Sequence, residues 1–169
     1  MKEVEIIELI KKLDTTNTVE QERYWSEIKE LNIDLPKYFL LSYPRFKKWQ
    51  GRVHLVFHCI KYARKSESAF ELGIEALSDK ATLVRYRGAS LLAYSLRKDA
   101  IPHLKKNLGH HDIDTRNDAK RAIKAIKKQN HHLFMEGRAT TWNVNQDDDD
   151  TGKDISRSLI NRIKKLIKV

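Results

Sequence analysis

The chain has 169 residues, enough for one well-filled core, so a single folded body is expected. Six Gly and three Pro leave little turn material for a many-stranded β architecture, and a lone cysteine, Cys59, excludes both an intramolecular disulfide framework and a zinc site built on paired cysteines. A net charge of +10 favours an anionic partner, whether protein, nucleic acid or membrane surface.

The first segment sets Ile6, Ile7, Leu9, Ile10 and Leu13 at helical spacing and predicts a helix over 4–13. It alternates charge with Ile and Leu and lacks the uninterrupted apolar core of a signal peptide. No stretch approaches the roughly 18 apolar residues of a membrane span, so a reducing cytoplasm is the expected compartment. Asp14-Thr-Thr-Asn17 supplies capping residues for a second helix over 19–31, with Tyr24, Trp25, Ile28 and Leu31 on one side. Asp34-Leu-Pro36 opens a third helix, because Pro is well tolerated in a first turn. That helix carries Tyr38, Phe39, Leu40 and Leu41 and should stop before Pro44.

Residues 44–65, PRFKKWQGRVHLVFHCIKYARK, hold seven Lys or Arg, two His and no carboxylate, inside an acid-free run over 35–66. Val53, Val56, Phe57, Ile60 and Ala63 form one apolar face, and Leu55, Cys59 and Tyr62 a second. A helix with two apolar faces is packed between neighbours, which leaves Gln50, His54, His58, Lys61 and Lys65 as a narrow polar stripe. Lys61, Arg64 and Lys65 fall in the last turn, where the helix dipole favours cations without any ligand.

An internal repeat follows at an offset of 31: SAFELGIEALSDKATLVRYRGASLLAYSLRK aligns with DAIPHLKKNLGHHDIDTRNDAKRAIKAIKKQ. Phe70 meets Ile101, Leu77 meets Leu108, Arg85 meets Arg116, Gly88 meets Ala119 and Leu92 meets Ile123. Each unit reads as helix, polar turn, helix, and must stack on its neighbours to bury its apolar side. Asp79 followed by Leu-Val-Arg85-Tyr-Arg-Gly88-Ala89, and Asp112 followed by Thr-Arg116-Asn-Asp-Ala119, resemble the turn and second-helix start of HEAT repeats, over residues 68–129 and extending back to 36. The second unit departs from the pattern, with His110 at the offset position of Asp79 and Lys120 in place of a small residue, which puts the polar turn pairing there in question. The layout is similar to that of small bacterial HEAT-repeat proteins.

The resemblance implies an all-α fold, a short right-handed α-solenoid of HEAT-like hairpins, to which the strand-like alternation after Gln129 adds a small extended cap and the Ile/Leu spacing from Ile155 a C-terminal helix. The Arg of each turn motif would cap or pair within the stack, and the small residues would let adjacent helices approach closely. The expected organisation is a helical-repeat domain over 1–145, comprising a helical cap at 1–35, repeats at about 36–129 and an extended cap at 130–145 in which Phe134 and Trp142 cover the last repeat. An acidic linker at 146–154 and an amphipathic basic helix at 155–169 follow, the latter with an Ile/Leu face suited to docking on the body, on a partner or on an anionic membrane.

Chemistry-bearing constellations are sparse. The His110-His111 and His131-His132 pairs, with His103, do not promise the convergent ligands of a metal site. The tract from Asp147 mimics a calcium loop, but Ser158 stands where a bidentate Glu is needed. Cys59 with His54 and His58 has the residue types of a nucleophile and base, yet neighbours on a helix point apart and Cys59 lies on an apolar face. No enzyme activity, cofactor or metal is expected. The expected site is a surface. If the second helix of each unit lines the concave side, as the resemblance implies, then His54, His58 and Lys61, then Arg87, Ser90, Tyr94 and Arg97, then Asp118, Arg121 and Lys128 form one basic wall. Such a wall suits an acidic protein surface, with an immunity or antitoxin protein that masks a toxin domain as the specific form, or alternatively the phosphates of a nucleic acid.

Overall fold

Eight α-helices run through residues 2–136, the residues that the computed structural model describes: α1 (Glu3–Lys11), α2 (Thr18–Ile28), α3 (Leu35–Ser42), α4 (Trp49–Cys59), α5 (Glu67–Ala76), α6 (Thr82–Ser95), α7 (Ile101–Lys106) and α8 (Ile113–Lys127). They belong to the first of two units, Met1–Glu136 and Gly137–Val169. Short 3-10 turns extend several helices, and no strand occurs among the described residues. The expected extended cap begins instead with a 3-10 turn, His131–Phe134, whose Phe134 is fully buried. Trp142, the acidic linker with its calcium-like tract and the C-terminal amphipathic helix lie outside the described residues. Among the described residues, no helix is long and apolar enough to cross a membrane.

Helix starts follow local chemistry. Asn17 accepts from the Val19 and Glu20 amides, Asp34 from Lys37, Ser66 from Ala69, and Asp112 from Asp114. The start of α4 has no cap of its own. Asp14, 33 and 34 residues upstream, supplies one by accepting from the Lys47 and Lys48 amides at 2.9 Å each. The first two helices end earlier than their apolar spacing predicts, at Lys11 and Ile28, and Leu13 and Leu31 follow in the turns.

The helices form hairpins, α3 with α4, α5 with α6 and α7 with α8, and like packs on like: α1 on α3, α3 on α5, α4 on α6, α6 on α8. Leu55, Val56, Cys59 and Ile60 of α4, Leu72 and Ala76 of α5, Leu91 and Leu92 of α6, and Ala122 and Ile126 of α8 fill the interior. Small residues allow the closest approach. A Cβ added at Gly88 would lie 2.9 Å from both the Gly73 carbonyl oxygen and the Ala76 Cβ, so α6 can sit against α5 only with glycine at that point.

Polar groups repeat with the helices. Arg52 donates from Nε and Nη2 to Asp79 at 2.6 and 3.0 Å, and the two side chains are only 7% and 6% exposed. Arg85, 33 residues after Arg52, donates to Asp112, 33 residues after Asp79, at 2.8 Å. Within their own turns, Arg52, Arg85 and Arg116 each donate from Nη1 to the carbonyl six residues back, those of Phe46, Asp79 and His110. The second-helix ends repeat as well. Leu96 and Gln129 both take positive φ, and the Gln129 side-chain Nε2 donates to the Leu96 carbonyl at 2.9 Å across 33 residues. The turn of the second unit is paired as well, through Arg85 to Asp112 and Arg116 to the His110 carbonyl. Asp112, two residues beyond His110, takes the part of Asp79.

Candidate partner-binding face

The ten residues expected to form one wall do not share one surface. Four are buried: His54 at 7% exposure, Ser90 at 2%, Tyr94 at 1% and Asp118 at 3%. The reason lies in α6, which is flanked by α4, α5 and α8 and has every residue from 88 to 95 buried. A helix enclosed on three sides has no stripe left for Ser90 or Tyr94 to present. Tyr94 instead packs its ring beneath the Arg64 guanidinium, 4.4 Å away, and edge-on to His131.

Arg97 is not part of the wall either. Its guanidinium is paired with Glu67 and Asp99 and lies 3.5 Å from the centre of the Phe70 ring. Those hydrogen bonds, to Asp99 first and Glu67 second, raise its pKa further. It also lies past the end of α6, beyond Leu96 with its positive φ, and so does not continue the helix face that carries Arg87. On α8, Arg121 pairs with Asp118 at 3.4 Å, and Lys128 is exposed at the helix end.

What remains together is a smaller cluster at one end of the expected wall, His54, His58 and Arg87, with Lys61 three residues beyond His58 in the chain. His54 and His58 are one turn apart on α4, with ring centroids 4.3 Å apart. The Trp25 indole of α2 stacks on His58 at 3.8 Å and meets His54 edge-on at 5.6 Å. Arg87 reaches over from α6, its guanidinium 4.8 Å from the Phe57 ring, and Phe57 packs edge-on to His58 at 5.0 Å. Lys61 stands above Tyr62 at 5.0 Å. Phe57 is 36% exposed, so the cluster includes accessible apolar surface beside its cations.

The charge states follow from this packing. Burial lowers the His54 pKa to about 4. His58 is pushed down to about 2, first by burial and then by repulsion from His54, Lys61 and Arg87. Both imidazoles are neutral at pH 7, and the His54 Nε2 is buried without a hydrogen-bond partner. The sequence pattern brought out the two histidines and both cations. It put Phe57 on a buried apolar face, whereas Phe57 is 36% exposed, and it gave no sign that Trp25 of α2 packs on the histidines.

Cys59 is 1% exposed, and burial raises its pKa, with Asp34 adding to the effect. Its thiol stays protonated, and a buried thiol in apolar surroundings is a packing group. Among the described residues, no group of three or more His, Cys, Asp or Glu is placed to hold a metal ion. A cavity of about 540 Å³ opens elsewhere, lined by Tyr43, Glu75, Asp79, His103, Lys106 and Asn107 among others, and includes none of the ten residues. No family model matches the chain, and neither a curated protein nor a solved structure matches it.

Proposed function

We propose that this chain is a non-catalytic protein-binding module, a short α-solenoid of HEAT-like hairpins that recognises an acidic protein surface, with inhibition of a toxin domain as its specific form. The recurrence of the Arg–Asp pairs at a fixed spacing supports the repeat architecture, since Arg52 stands to Asp79 as Arg85 stands to Asp112. The observation that carries the binding role is the Arg87 guanidinium lying 4.8 Å from the part-exposed Phe57 ring, beside the histidine pair and with Lys61 three residues beyond His58. Cations around an aromatic anchor have the composition of a protein-binding surface, where aromatic and Arg residues concentrate binding energy.

The test is capture from a lysate of the native host with the full chain immobilised, comparing wild type with Lys61→Glu/Arg87→Glu. One protein partner should be enriched by wild type and lost by the variant, while the melting temperature moves by no more than a few degrees. Capture of nucleic acid at low salt with no protein enriched would replace this function with the phosphate-binding alternative. Equal enrichment by both forms would remove the surface from consideration.

A further inference from the structure

We propose that Trp49, Leu83 and Ile113, which open α4, α6 and α8, form a row that seats an extended acidic peptide segment of a protein partner, in polyproline II form with an apolar residue at every third position. The row is separate from the Phe57 surface, since Trp49 stands eight residues from Phe57, at the other end of α4. Trp49 is the first residue of α4, Leu83 the second of α6 and Ile113 the first of α8, and they are 44%, 41% and 53% exposed. Single exposed apolar side chains are ordinary on a protein surface. Three at the same place in three consecutive units make a patch, and patches mark interaction sites.

Hydrogen bonds hold the three helix starts side by side. Asp79 accepts from Arg52, three residues after Trp49, at 2.6 Å, and from the amide of Ala81, the residue before α6, at 2.8 Å. Thr82 donates to Asp112 at 2.9 Å and Arg85 to Thr115 at 2.8 Å, which joins the first turn of α6 to that of α8. Since α4 packs on α6 and α6 on α8, the three apolar positions repeat at the spacing of packed helices, about 8–10 Å. A polyproline II segment has three residues per turn and rises about 3.1 Å per residue, so every third side chain lies on one face at intervals of about 9 Å. Neither the turn of an α-helix, about 5.4 Å, nor the two-residue repeat of a strand, about 6.7 Å, matches that interval. Trp49 supplies the aromatic surface on which polyproline II segments dock.

Charge sets what lies between the apolar residues of the segment. Lys47 and Lys48, just before Trp49, and Lys80, three residues before Leu83, are exposed and form no ion pair among the described residues. The acids of the same turns are committed: Asp14 to the Lys47 and Lys48 amides, Asp79 to Arg52 and Tyr43, and Asp112 to Thr82 and Arg85. Asp114 is exposed, and it lies at the α8 end of the row. The three lysines beside Trp49 and Leu83 therefore attract carboxylates and repel a basic segment.

The test uses the full chain with three blocked nonapeptides as probes: three Glu-Leu-Pro repeats, the same nine residues with the leucines adjacent, and three Lys-Leu-Pro repeats. Binding is followed by the Trp49 indole resonance and the Leu83 and Ile113 methyl resonances. The Glu-Leu-Pro peptide should bind saturably, with a Kd below about 1 mM, and shift all three sites. The rearranged peptide should bind about fivefold or more weakly, and the Lys-Leu-Pro peptide not at all. Trp49→Ser, Leu83→Ser and Ile113→Ser should each weaken binding about threefold or more, and Val4→Ser, on the exposed side of α1, less than about twofold. Absence of saturable binding, equal affinity for the rearranged peptide, or shifts confined to one of the three sites would overturn the row. Lys61→Glu/Arg87→Glu, which tests partner capture separately, should bind the Glu-Leu-Pro peptide within about twofold of wild type. A larger loss there than in the serine variants would move the peptide to the Phe57 surface and overturn the row as well.

Discussion

Arg85 and Asp112 are joined at 2.8 Å across 27 residues, and the carboxylate that receives Arg85 is also the N-cap of α8. One side chain therefore starts a helix and ties it to the helix before it. Arg52 and Asp79 repeat the tie one unit earlier, with Tyr43 donating to the same carboxylate at 2.7 Å. Removing one member of a buried pair leaves the other without its charge partner. Asp79→Ala should cost about 3–5 kcal/mol, read from the urea midpoint at pH 7. A loss below about 1 kcal/mol would mean that the pair is solvated in solution.

Gly88 poses a sharper question, because two effects oppose each other. Helix propensity alone makes Gly→Ala favourable by about 1 kcal/mol. The added Cβ, however, would meet the Gly73 carbonyl oxygen at 2.9 Å, and a backbone atom between packed helices cannot swing aside. Overpacking should win, and Gly88→Ala should destabilise by about 1–3 kcal/mol. Gly109, whose Cβ would meet nothing within 4 Å, is the control: Gly109→Ala should leave the melting temperature within a degree or two. A stabilised Gly88→Ala would show that α5 and α6 are further apart than described.

The helices were legible because their signals are local and periodic. Asp34-Leu-Pro36 and Ser66 start helices by short-range chemistry, and Val56, Ile60, Leu72 and Leu92 repeat at spacings that a helix buries. The partner surface was much less legible. Ser90 and Tyr94 sit on a polar-looking stripe, but α6 has neighbours on three sides, and the number of neighbours is a property of the stack rather than of the segment. Arg52 looked like one more cation in a basic run. Only its 33-residue distance from Arg85, matched by that between Asp79 and Asp112, marks it as part of a repeated pair. Asp14 gives no local hint that it caps α4.

Acid should destabilise the fold in two stages. His54 and His58 have folded-state pKa values of about 4 and about 2, below the ordinary 6.5, so the unfolded chain binds more protons than the folded one. Their contribution is complete above about pH 6.5 and is lost as pH falls, with a limiting slope of about 2.7 kcal/mol per pH unit for two protons. Burial also raises Asp79, but hydrogen bonds from Arg52, the Ala81 amide and Tyr43 outweigh it and hold its pKa below the carboxylate range. Its contribution is present above the unfolded value near 4 and disappears at lower pH. His54→Gln/His58→Gln should flatten urea stability between about pH 6.5 and pH 4 and leave the steeper loss below pH 4 in place. An unchanged slope in the upper window would place the titrating groups elsewhere.

Charge reversal separates the two arginines once grouped on one wall. Arg87 lies against Phe57 beside His58, and Arg97 is paired with Glu67 and Asp99, whose side chains are 64% and 57% exposed. Exposed pairs of that kind contribute about 0–1 kcal/mol each. Arg97→Glu should therefore lower stability by about 1–2 kcal/mol, because three carboxylates then crowd one helix end, and should leave partner binding within about twofold. Arg87→Glu should reduce binding by about tenfold or more, since it places an acid where the proposed acidic partner would dock. Parallel titrations of the two variants against the captured partner measure the difference directly. If Arg97→Glu proved the more damaging to binding, the contact surface would lie at the C-terminal end of α6, around Phe70 and Glu67, and not at the Trp25 cluster.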